Sequence, residues 1–260
     1  MARERPWGLR MSEFDDLMRR IQELETENRR LKLENREYQT RLEALVEQRT
    51  AQLRNGIGSM ERSYDITLEA LGAALELKDA ETQGHSKRVT AFSIAIARAM
   101  RVPNDEVSMI ARGAFLHDIG KIAIPHQIVL KPNALTPEET AIMREHCYRG
   151  YQMLQKVPFL AGAAEIVYSY HEHYDGTGYP RGLKGEQIPL GARIVAVANT
   201  LDSITSELPY RPAQSVAAAK REIQHWSGRQ FDPLIVQVFL SMPENVWFDL
   251  RCEVGSQNIN

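Results

Sequence analysis

Cysteine is nearly absent: Cys147 and Cys252 are the two in 260 residues. Neither lies in a CxxC pair, so the sequence offers no disulfide framework and no thiolate-built structural zinc site, and it suits a reducing compartment. Long apolar runs are missing too. No stretch approaches the roughly 18 apolar residues needed to span a bilayer. The opening MARERPWGLRMSEFDD has no apolar middle segment of the secretory kind. A cytoplasmic location without a membrane span is the expectation. Neither charge sign is in surplus: the net charge of −2 gives no broad basic field for nucleic acid. Strand series, hairpin signals, internal repeats and low-complexity tracts are absent as well. What is present is an ordinary globular composition, long enough for one domain and an appendage, patterned as helices throughout. The fold class expected is all-α.

The first long element carries a heptad. With Phe14 at position a, the a series runs Phe14, Ile21, Asn28, Asn35 and Leu42, and the d series Leu17, Leu24, Leu31, Tyr38 and Leu45. The residues between are rich in Glu, Arg, Lys and Gln, all good helix formers. So narrow an apolar stripe needs a partner helix, and asparagine at a favours two parallel strands in register. A homodimeric coiled coil is expected over 11–55, after an N-terminal tail, 1–10. The glycines of RNGIGSM, Gly56 and Gly58, are expected to break the helix and open a linker, 56–67. The domain proper is expected over 68–245, with a C-terminal tail over 246–260.

Within that domain the apolar spacing predicts helices in VTAFSIAIARAM, DEVSMIARGAFLHDIG, AAEIVYSYHEH, ARIVAVANTLDSIT and AQSVAAAKREIQ. LTPEETAIMREHCYRGYQML opens with Thr136 as N-cap and Pro137 at the first helical position.

Seven histidines occur, most beside carboxylates, glycines or lysines near predicted helix ends. His117-Asp118 is followed by Gly120 and Lys121. Adjacent His and Asp diverge by about 100° on a helix, so one metal can use both only where the helix ends, and Gly120 is expected to provide that end. Read alone, the unit is equally a helix C-terminus with favourable cations. Glu81 and His85, four apart, would share a face if one helix carries both. His146 lies on a helix with an apolar opposite face, and His171-Glu172 precede a glycine-rich turn. Imidazole with carboxylate suits divalent iron, manganese or related metals. Four such units in one helical domain favour a metal site over four separate capping histidines.

In order and spacing, GHSKRV, HDIGK, LKPNALTPEE, MREH, HEHYDGTGYPRGLKGEQIPLGARI and FDP resemble the HD-GYP domain family. The resemblance covers about residues 68–240. It implies an all-helical fold holding two or three divalent metals, iron or manganese, and hydrolysis of cyclic di-GMP to pGpG or GMP in bacterial signalling. It implies His85, His117, Asp118, His146 and His171 as metal ligands, with Asp118 bridging, and Glu81 as a ligand of a third metal. Lys121 would contact the scissile phosphate. Gly178, Tyr179 and Pro180 would line the substrate site or a partner surface, and Arg211 would grip phosphate. A diguanylate cyclase domain is a partner the family permits.

Three positions depart from the family pattern. Tyr170 stands where an imidazole ligand is usual, and a phenol can itself ligate iron. Asn199 replaces a ligand aspartate, and Leu208 replaces a phosphate-contacting cation. Two readings therefore stand side by side. One is a working metal-dependent phosphodiesterase with altered metal content or rate. The other is a catalytically degenerate domain that acts as a cyclic di-GMP receptor or protein-interaction module.

Overall fold

The computed structural model describes residues 11–76, 84–207 and 212–256. Among them the chain is helical, with short 3₁₀ segments and no strand. Two compact units are present, residues 1–66 and 67–260.

The first unit is carried by helix α1 (Met11–Glu76), whose later turns belong to the second. The break expected at Gly56 and Gly58 does not occur, and α1 runs through both. Glycine costs about 1 kcal/mol relative to alanine in a helix interior, and two isolated glycines between Arg, Gln, Met and Glu do not outweigh their neighbours. Leu17, Leu24, Leu31, Leu42 and Leu45 are all exposed on α1. Arg20–Glu23 and Arg30–Glu27 pair beside them.

The second unit holds α2 (His85–Ala99), α3 (Asn104–Phe115), α4 (His126–Val129), α5 (Pro137–Leu154), α6 (Ala161–Ser169), α7 (Leu190–Thr205), α8 (Val216–His225), α9 (Pro233–Ser241) and α10 (Glu244–Ser256). Local chemistry sets several boundaries. Thr136 accepts from the Glu139 amide while the Glu139 carboxylate accepts from the Thr136 amide, a capping box completed by Pro137. The FDP segment caps α9: Asp232 accepts from the Leu234 amide and also pairs with Arg193 of α7. These motif residues thus hold helices together.

The core is built from Val89, Phe92 and Ile96 of α2, Ile110 of α3, Ile166 of α6, Ile194 and Leu201 of α7, and Phe239 of α9. The tail expected from 246 onward is instead most of α10. Trp247 is buried there, its ring 5.7 Å from that of Phe92 and 5.2 Å from that of Phe239. Truncating such a ring costs about 3–5 kcal/mol, so its burial anchors α10 to the core.

Candidate metal centre

His117 and Asp118 follow the end of α3 directly. The helix closes at Phe115, with Leu116 as its C-cap, so His117 and Asp118 leave the helix before Gly120 is reached. Gly120 lies in a 3₁₀ turn, Ile119–Ala123, and its role is close packing. A Cβ there would stand 1.8 Å from the His146 carbonyl oxygen. The glycine therefore seats the His-Asp turn against α5 and brings His146 to the same place.

His85 opens α2 behind Gly84, which is left-handed at φ 76°. Glu81, expected to share a helical face with His85, lies outside the described residues. His85 Nδ1 is 2.7 Å from Asp202 Oδ2, and its Nε2 is 3.4 Å from His117 Nε2. His117 Nδ1 is 2.7 Å from the Ala114 carbonyl, and its Nε2 is 3.1 Å from Asp118 Oδ2. Each Nδ1 faces an acceptor and so carries the proton, which leaves both Nε2 atoms as lone pairs in the neutral rings. Two nitrogen lone pairs and a carboxylate oxygen then face one space. Ligand atoms of these three residues all lie within 4.8 Å of one another, close enough to hold one ion. The donor set fits a divalent cation with mixed imidazole and carboxylate preference.

The other half of the centre is built on α5 and the end of α6. His146 Nδ1 donates to the Met143 carbonyl at 2.7 Å. Its Nε2 is 2.6 Å from the Tyr170 hydroxyl, which donates to Asp118 Oδ1 at 2.9 Å. His171 stands just past α6, its ring 5.3 Å from that of His146. Cys147 Sγ is 3.5 Å from His146 Nε2, and the ligand atoms of His146, Cys147 and His171 all lie within 4.8 Å of one another. Sequence reasoning passed over Cys147, since no CxxC flagged it. Burial pushes its thiol up, so it stays protonated.

Lys121 Nζ is 3.0 Å from Asp118 Oδ2. Burial alone would raise the Asp118 carboxyl, but the His117 ring and the Lys121 ammonium facing it hold it well below the usual carboxylate range. Burial and the positive charges around them lower His171 strongly and His146 less. Neutral imidazoles are the form that binds a metal.

Behind His85 lies a support that the motifs did not predict. Arg88 reaches Asp202 through Nε at 2.7 Å and Nη2 at 3.0 Å, and Arg251 of α10 reaches Asp202 Oδ1 at 3.0 Å. Arg251 also donates to the Thr205 carbonyl at 2.9 Å. Asp202 is fully buried and reads in sequence as one more polar residue on an apolar helix. Its spacing from Asn199 was the available signal. Asn199 itself is half-buried on α7 and makes no hydrogen bond to the cluster among the described residues.

Glu172 is buried and accepts from the amides of Arg181 at 2.7 Å and Leu183 at 3.1 Å, so it fastens the glycine-rich loop instead of facing the cluster. Gly178 lies in that loop, where a Cβ would stand 2.1 Å from the His173 amide nitrogen. Tyr179, joined to Pro180 by a cis peptide, stacks on His171 with centroids 4.7 Å apart, and Arg144 covers its ring at 4.6 Å. Leu208 and Arg211 lie outside the described residues.

A helical domain in which histidines and an aspartate converge next to a lysine is the HD class of protein. The chain belongs to the HD-domain family: the HD domain model matches residues 69–235. It is 42% identical over 181 residues to the cyclic di-GMP phosphodiesterase of Thermotoga maritima, covering 69% of this chain and 49% of that protein. It is 40% identical over 197 residues to the cyclic di-GMP phosphodiesterase response regulator RpfG of Xanthomonas campestris pv. campestris, covering 75% and 51%. The chain thus spans about half the length of these curated relatives. Its fold is similar, at TM-score 0.53 and 22% identity, to the crystal structure of a cyclic GMP-AMP specific phosphodiesterase of V. cholerae, over 71% of this chain and 52% of that one. No helix among the described residues is long and apolar enough to cross a membrane.

Proposed function

We propose that this chain is a metal-dependent phosphodiesterase acting on a cyclic dinucleotide, cyclic di-GMP first among candidates, and that it works as a dimer in bacterial second-messenger signalling. One observation carries the reading: His85 Nε2, His117 Nε2 and Asp118 Oδ2 face a single space with Lys121 alongside. His85, His117 and Asp118 would hold a divalent ion, iron or manganese by donor type. When bound, such an ion withdraws charge from a phosphoryl oxygen and makes hydroxide available at neutral pH.

The chain's own residues supply the rest. The Lys121 ammonium neutralises charge that develops on the phosphate in the transition state. Ala114 and Asp202 fix the rings of His117 and His85 so that the ligand atoms stay aimed inward. Tyr179, stacked on His171 and covered by Arg144, would form part of the substrate wall beside the cluster. The identity and coverage of the curated relatives support the substrate class.

Anaerobic protein supplied with ferrous iron or manganese should convert cyclic di-GMP to pGpG or GMP. Absence of turnover under both conditions rejects the reading and leaves a nucleotide receptor, which binding of the dinucleotide without product would identify. The dimer rests on the exposed heptad of α1, whose leucines suit a second copy in register. Leu24→Lys with Leu31→Lys should give a monomer by light scattering, and a mass unchanged from that of an unaltered dimer would reject the zipper.

A further inference from the structure

We infer that Tyr170 makes this a one-ion centre: each chain binds a single divalent cation between His85, His117 and Asp118, and the Tyr170 hydroxyl fills the position of a second. The inference rests on the phosphodiesterase reading for its metal and concerns how many ions the site takes.

A geometric observation carries it. A pair of ions sharing Asp118 needs both carboxylate oxygens, one for each ion. Oδ2 faces His117 and Lys121, while Oδ1 accepts from the Tyr170 hydroxyl at 2.9 Å. That same phenol oxygen is 2.6 Å from His146 Nε2, so it lies between the two groups a second ion would have to join. Tyr170 is buried, its ring held at 5.0 Å from that of His117 and 4.1 Å from that of His171, which leaves it little room to swing aside.

Among the described residues, the other acids beside the cluster are already engaged: Asp202 touches His85 from the far side of the ring and is matched by Arg88 and Arg251, and Glu172 accepts from two loop amides.

The test counts metal on the full-length chain. Protein loaded anaerobically with excess manganese, then desalted, is analysed for metal per chain and by electron paramagnetic resonance. Unaltered protein should retain one ion with the signal of an isolated manganese. Tyr170→His, which restores an imidazole and removes the hydroxyl from Oδ1, should rise to two ions with a spin-coupled signal, whereas Tyr170→Phe should stay at one. Two ions in unaltered protein, falling to one in Tyr170→Phe, would overturn the inference by making the phenol oxygen a ligand, while turnover kept the phosphodiesterase reading intact. One ion in both the unaltered and the folded Tyr170→His proteins would overturn the role given to Tyr170. If no variant retained metal and none turned over, the inference and the phosphodiesterase reading would both fail. Should Tyr170→His not fold, the spectrum and count of the unaltered protein decide alone.

Discussion

The two halves of the centre start from the same residue types and end differently. In the His85–His117 half, each imidazole donates outward from Nδ1, to Asp202 and to the Ala114 carbonyl, and turns its Nε2 inward toward the other ring and Asp118. In the His146–Tyr170 half, His146 is oriented in the same way by the Met143 carbonyl, yet its inward nitrogen meets a hydroxyl. Orientation of a histidine is therefore insufficient to make a metal ligand; what stands opposite decides. In one half the inward nitrogens face each other and a carboxylate; in the other a phenol oxygen stands between the nitrogen and that carboxylate.

Asp118 belongs to both halves, so its loss should have the largest effect. Asp118→Asn is expected to abolish metal retention and bring turnover to background, as measured by elemental analysis and product assay. Retention of a stoichiometric ion would break the idea that this carboxylate joins the halves. Next, His117→Ala should lose the ion whereas His146→Ala should keep it, and equal losses in the two would erase the difference between the halves. Lys121→Ala should retain metal while kcat falls on the order of 10²–10³-fold, the usual effect of removing one preorganised charge from a transition state. Asp202→Asn should weaken metal binding by about 10–100-fold in a metal titration, because His85 loses its orienting acceptor. It should also lower stability, because Arg88 and Arg251 keep buried charge without a matching carboxylate. Arg251→Ala, which removes one of three partners of Asp202, should have the smallest effect of the set.

The parts of this centre that sequence made legible are those where a motif residue touches the chemistry directly. His117, Asp118, Lys121 and His146 meet in space, and the all-α class and the Thr136 cap follow from spacing and side-chain type. The parts that stayed hidden depend on what lies opposite a residue. Asp202 sits among apolar neighbours, and its pairing with residues 114 and 49 positions away has no local signal. Arg251 lies on a helix that pattern alone reads as tail, because its packing rests on Trp247 reaching a distant core. Gly120 offers a helix end by composition, while its actual demand is a backbone approach from α5. Glu172 reads only as an acid beside His171, and the loop amides it accepts from come nine and eleven residues later. Glu81 and Arg211 remain expectations from resemblance, outside the described residues.

The most direct measurement is anomalous diffraction from crystals of the full chain grown with manganese. A single peak within bonding distance of His85 Nε2, His117 Nε2 and Asp118 Oδ2, with the Tyr170 hydroxyl still against Oδ1, is the predicted result. No peak among those three atoms, in crystals soaked at saturating metal, would contradict the account.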